Sequence, residues 1–158
     1  MAGYYCTIRT NYFQVTDENA FRELMKHVQG TEDKVEVFER KEDGVKLFGF
    51  GCGSDIAGVD EEYFMRAHGI DPDGDVELDE DDFAEGRYDV FTDCLQKLIV
   101  EGDAVIILEA SSEKLRFVNG LAEIITRNRM EYLDIKRLSI ECAAKMLNNP
   151  GWNTQLEY

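Results

Sequence analysis

An α+β fold is predicted for this chain of 158 residues: an antiparallel sheet of about five to six strands, about three helices, and an acidic insertion in the middle. Three observations lead there. Segments rich in β-branched and aromatic residues are joined by short polar turns, which favours hairpins and antiparallel pairing. Other segments carry apolar residues at i, i+3, i+4 and i+7, the spacing of a helix with one buried face. No regular strand–helix–strand alternation is present, so a parallel nucleotide-binding sheet is not expected. The length suits a single domain over 1–158, with its acidic segment at 55–93.

Residues 4–15 read as extended, being rich in Tyr, Thr, Ile, Phe and Val. Thr16 and Asp17 then offer N-cap oxygens for a helix to about Val28, with Phe21, Leu24, Met25 and Val28 on one stripe and Gly30 as its stop. Segments 34–40 and 45–50 read as strands joined by a hairpin turn at Lys41, Glu42, Asp43 and Gly44. A second amphipathic helix ends near Val100; Val90, Phe91, Cys94, Leu95, Leu98 and Ile99 line one face, and Gly102 follows. Residues 104–109 form a strand, 111–114 a turn, and 115–126 an extended run in which Asn119 and Gly120 make either a hairpin turn or a bulge. A last strand spans 131–133. Asp134 caps a helix to about Leu147, closed by Asn148, Asn149 and Pro150, and the tail 151–158 carries the only tryptophan, Trp152, as an anchoring contact.

Composition excludes several functions. With 33 Asp and Glu against 17 Lys and Arg, the formal net charge of −16 repels nucleic-acid phosphates and anionic headgroups alike, so direct binding to nucleic acid or membrane is discarded. No run approaches the ~18 apolar residues of a membrane helix and no basic-then-apolar leader opens the chain, so a cytoplasmic location is expected. Cys6, Cys52, Cys94 and Cys142 lie far apart with no C-x-x-C pair, and only His27 and His68 accompany them. From this spacing a zinc site is not expected, and the cysteines read as small buried hydrophobes in a reducing compartment. A Cys52–His68 nucleophile pair lacks a third, orienting residue. Gly49, Gly51, Gly53 and Gly58 match neither a dinucleotide fingerprint nor a phosphate loop, so no catalytic residue is named and no enzyme is expected.

The charge is local. Between Asp55 and Asp93 fifteen acids stand against only Arg66 and Arg87, a net −13, while the rest of the chain is close to neutral. One reading is a solvated linker and helix start, with Asp79 as N-cap and Glu80, Asp81 and Asp82 in the first turn, where the macrodipole favours carboxylates. A second is calcium. Asp71, Asp73, Asp75, Asp79 and Asp82 occupy positions 1, 3, 5, 9 and 12 of an EF-hand loop with Leu78 at position 8. Against it, Val76 stands where the sharp turn calls for Gly, position 12 is Asp rather than the longer Glu, and Pro72 stiffens the start. The third is a carboxylate surface imitating nucleic acid, formed by Asp60, Glu61, Glu62, Asp71, Asp73, Asp75, Glu77, Asp79, Glu80, Asp81, Asp82 and Glu85. If the segment were largely helical it would carry a charge every ~4 Å, against ~3.4 Å per phosphate along one DNA strand. The acid–apolar alternation of residues 75–79 would, as a strand, bury Val76 and Leu78, and Tyr63, Phe64, Met65, Ile70, Phe83 and Tyr88 could pin the segment to the body.

The runs Ile8-Arg9-Thr10-Asn11-Tyr12-Phe13, Val15-Thr16-Asp17, Glu113-Lys114-Leu115-Arg116-Phe117-Val118 and Asn148-Asn149-Pro150-Gly151-Trp152-Asn153 resemble a group of small acidic proteins carried by bacterial plasmids, integrative elements and phages. In that group the acidic middle varies and holds no fixed calcium loop. The resemblance implies a genetic context shared with antirestriction and anti-CRISPR proteins, in a bacterial cytoplasm, and assigns no role residue by residue. The expectation is a non-enzymatic inhibitor without a cofactor, whose partner is the basic nucleic-acid surface of a CRISPR or restriction nuclease. The alternative is a calcium-binding or regulatory module using the loop 71–82.

Overall fold

The computed structural model describes residues 3–156, so the outermost residues of the expected domain and tail, 1–2 and 157–158, lie outside it. Its first strand, β1 (Tyr4–Thr10), ends sooner than the extended run 4–15, which continues only as single bridges at Phe13 and Val15. Helix α1 (Glu18–His27) starts where expected, the Asp17 carboxylate accepting from the Ala20 amide, and Phe21, Leu24 and Met25 are its buried stripe. Val28 and Gly30 do not extend or stop it. They form a short strand, β2 (Val28–Gly30), in which a Cβ on Gly30 would fall 2.1 Å from the Asp33 carbonyl oxygen.

Strands β3 (Glu36–Glu42) and β4 (Val45–Cys52) form the expected hairpin, but the loop is only two residues, with Asp43 and Gly44 both at positive φ as a twist-matched turn requires. Strand β5 (Ile56–Val59) pairs antiparallel with β2, and helix α2 (Glu61–Ala67) follows from the Asp60 N-cap. Both lie in the acidic segment and neither is in the sequence prediction. Helix α3 (Glu80–Leu98) runs beneath the sheet, and after it come β6 (Ala104–Glu113), β7 (Phe117–Thr126), β8 (Met130–Asp134) and α4 (Ile135–Met146), capped by Asp134 as expected.

Among the described residues the architecture is α+β with four helices, a six-stranded antiparallel sheet in the order β3-β4-β1-β6-β7-β8, and the two-stranded β2–β5 pair. The β6–β7 turn sits at residues 114–116 rather than 111–114. Asn119 and Gly120 are neither turn nor bulge: the ladder runs unbroken from Ala104↔Thr126 to Glu113↔Phe117. Gly120 has another reason to be glycine, since a Cβ there would lie 2.8 Å from Ile135 Cγ2 on α4.

Strand alternation gives each sheet face its own cover. On one face Ile8, Phe48, Phe50, Val105, Ile107 and Ile125 are buried with Phe21, Phe91 and Leu95 of α1 and α3. Phe13, Phe50 and Phe91 meet edge-on in sequence, with centroids 6.2 and 5.8 Å apart, the favoured aromatic geometry. The opposite face carries α4 over Gly120, Ala122 and Leu133 and stays partly open, with Leu108 52% exposed. The acidic segment is not a separate insertion, because its Ile56, Val59, Phe64 and Phe91 belong to the same core as the rest.

Candidate functional site

The acidic segment owes its placement to its own apolar residues. Phe64 and Met65 of α2 are buried, Tyr63, Leu78, Phe83 and Tyr88 pack partly buried around the core, and the Phe64 and Phe83 rings meet edge-on at 5.4 Å. Two of its many acids are helix caps. The Asp60 carboxylate accepts from the Tyr63 amide, and Asp79 Oδ1 accepts from the Asp81 and Asp82 amides, leaving Glu61, Glu62, Glu80, Asp81 and Asp82 in first turns where the helix dipole favours them.

Of the twelve expected interface residues, Asp60 is half-buried and the other eleven, from Glu61 to Glu85, are exposed. Asp60 is turned inward, accepting from the His27 ring at Nδ1 over 2.8 Å, with Glu23 3.2 Å from Nε2. Burial disfavours the imidazolium, but the Asp60 and Glu23 carboxylates outweigh it and raise the His27 pKa. The segment's two bases are engaged. Arg66 pairs with Glu62 at 2.5 Å, and Arg87 donates to the Val59 carbonyl at 2.9 Å while its guanidinium stacks 4.6 Å over the Phe83 ring.

The backbone of residues 75–79 is not a strand. Val76 is 60% exposed, and only Leu78 turns toward the core, because this stretch has no neighbouring strand to pair with and serves as the lead-in to the α3 cap. Two acids outside the expected set join the surface. Asp82, Glu85, Asp89 and Asp93 recur at i, i+3, i+7 and i+11 along α3, one helical stripe about 16 Å long, and all are exposed. The same 3.6-residue periodicity used to find the apolar face would have found this acidic one. Between α2 and α3 the surface dips into a groove of about 600 Å³ whose floor is Phe64, Ile70 and Leu78 and whose walls include Glu77, Asp82, Glu85 and Asp89.

The other sequence candidates are dispersed. Asp71 Oδ1 accepts from the Asp73 amide and Asp79 is occupied as a cap, and among the described residues the single group with three ligating atoms in mutual reach is Cys6, Asp55 and Glu109. The five aspartates Asp71, Asp73, Asp75, Asp79 and Asp82 are not gathered in that way. Cys52 is buried in β4 with Sγ 3.4 Å from Ser54 Oγ, while exposed His68 sits over the Phe64 ring with Nδ1 2.9 Å from the Phe64 carbonyl oxygen, so each has its own partner. Cys142 is exposed, not buried, since α4 meets the sheet along a narrow line with only Ala144 fully covered.

No known family model matches the chain, and no curated protein or solved structure is detectably similar to it.

Proposed function

We propose that this protein is a non-enzymatic inhibitor that presents its acidic face, Asp60 to Asp93, to the basic nucleic-acid channel of a host defence nuclease of the CRISPR or restriction type. The observation that carries the reading is the pairing of two properties: eleven of the expected carboxylates are exposed, and the backbone bearing them is pinned by buried Phe64, Met65, Phe91 and Leu95. A solvated linker needs no such anchors. Carboxylates held on a rigid frame meet Lys and Arg without a large ordering cost, whereas a mobile tail would lose that advantage. The net charge of −13 between Asp55 and Asp93 also accelerates encounter with a positive channel, and that steering is screened by salt.

The test is competition for DNA on a purified restriction or CRISPR effector nuclease. Inhibition is expected at low salt and is expected to fall steeply as salt rises. A triple reversal of Glu77, Asp81 and Glu85 to Lys leaves the Asp60 and Asp79 caps in place and should abolish inhibition while preserving the circular dichroism spectrum. Undiminished inhibition by that variant, or affinity indifferent to salt, overturns the proposal.

A further inference from the structure

A second cluster, which includes none of the twelve carboxylates of the expected interface, lies on the sheet face against which Tyr88 of α3 packs. Strand β1 places Cys6 there, β6 places Glu109, and the turn before β5 places Asp55; one ligating atom of each lies within 4.8 Å of the other two. Cys6 is 5% exposed and donates its thiol proton to Asp55 Oδ1 at 3.0 Å, while the Tyr4 hydroxyl donates to Asp55 Oδ2 at 3.0 Å. The cluster borders a cavity of about 410 Å³ lined by Asp55, Glu109, Glu123, Tyr88 and Tyr132 together with aliphatic side chains, and no lysine, arginine or histidine is among its described lining residues. Three carboxylates thus share a recess without a cation, which electrostatics penalises. A separate observation points the same way. Ser111 Oγ donates to Glu109 at 3.3 Å and the Tyr88 hydroxyl to Glu123 at 2.5 Å, so with Cys6 and Tyr4 on Asp55 the three carboxylates are met by neutral donors alone.

We propose that Cys6 Sγ, Asp55 and Glu109 bind one divalent metal ion of the zinc type, with the cavity leaving room for a metal-bound water. One thiolate and two carboxylates suit Zn²⁺ or Cd²⁺ better than Ca²⁺ or Mg²⁺, which take oxygen alone. Binding replaces the thiol proton, which passes to solvent, and the metal supplies the positive charge that the recess lacks. Spacing of cysteines and histidines could not disclose such a site, because its ligands come from positions 6, 55 and 109 and two of them are carboxylates.

Chelator-stripped protein titrated with Cd²⁺ should develop a thiolate-to-metal charge-transfer absorption that saturates at one equivalent, and Zn²⁺ at a hundredfold excess over its dissociation constant should raise Tm by about 5–10 °C. Cys6→Ser should abolish the absorption, whereas Cys142→Ser, which alters the exposed thiol, should keep it. Glu109→Gln, of the same shape and only half-buried, guards against a folding defect in the Cys6 variant. Loss of an outer-shell partner already weakens metal binding about 10–100-fold, so loss of this direct ligand should weaken Zn²⁺ binding at least that much. Equal absorption in Cys6→Ser, unchanged affinity in Glu109→Gln, or no Zn²⁺ effect on the wild-type Tm overturns the assignment.

Discussion

His27 and Asp60 join α1 to the start of α2, and their contact has a definite pH signature. The carboxylates raise the folded His27 pKa over its unfolded value, so the added stability is fully present below the unfolded histidine pKa of about 6.5 and is lost as pH climbs through the higher folded value. Asp60→Asn keeps a competent N-cap and removes the charge. The variant's His27 resonance should therefore titrate at lower pH than the wild type's, and an unchanged midpoint would show that Asp60 does not set it. Glu109 depends on pH in the same direction but for the opposite reason, because its surroundings disfavour the charged form instead of favouring it. Burial, reinforced by Asp55, raises its pKa, so in the metal-free protein its stability contribution declines as pH rises from the ordinary carboxylate range through the folded value. Glu109→Gln should accordingly melt higher than the metal-free wild type at neutral pH, the reverse of its effect on metal binding. At Gly58, φ of +121° coincides with the α3 backbone, where an added Cβ would lie 2.5 Å from Arg87 C and O. Gly58→Ala should cost at least the ~1–3 kcal/mol typical of a strained backbone position, read by urea denaturation.

Among the elements, α3 and α4 make an instructive pair. Phe91, Thr92 and Leu95 fix α3 in the core, whereas α4 buries Ala144 alone and leaves Ile135 53% and Leu138 38% exposed. Helical stability in proteins comes mostly from burying an apolar face, so α4 should open at lower free energy. Native-state hydrogen exchange should find α4 amides unprotected well before those of α3. Comparable protection would mean that something further covers α4. The two caps differ in consequence as well. Asp134→Ala should cost about 1 kcal/mol of an already weak helix, while the same change at Asp79 acts on a helix held by its centre. Periodicity and caps exposed α1, α3 and α4 in advance because each has both signals. Helix α2 has a cap and only seven residues, and its Asp60-Glu61-Glu62 run reads first as surplus charge; β2 and β5, three and four residues long, are too short for alternation to register.

For the molecule as a whole, the distribution of charge links fold to proposed function. Most of the −16 lies on α2, α3 and the loop between them, and their mutual repulsion opposes the compact state. Added salt should thus raise Tm modestly while weakening the proposed partner complex, two effects of one screening process with opposite sign. A salt-independent Tm would indicate that the acids are spaced widely enough not to repel. Much of the acidic surface was legible in the sequence, because exposed charge needs no partner to be recognised and the aromatics beside it signalled attachment. The acid–apolar alternation of residues 75–79 makes no strand, because alternation defines a strand only when another strand is available to receive its hydrogen bonds.

Local chemistry alone determined the α+β class, the Asp17, Asp79 and Asp134 caps, the Asp43–Gly44 hairpin and the concentration of carboxylates between Asp55 and Asp93, since each depends on residues within a few positions of one another. Tertiary structure decided that β2 pairs with β5, that Gly120 admits Ile135, and that Cys6, Asp55 and Glu109 meet. These depend on which distant strands become neighbours, and strand order is chosen by the burial of the whole core rather than by any segment within it.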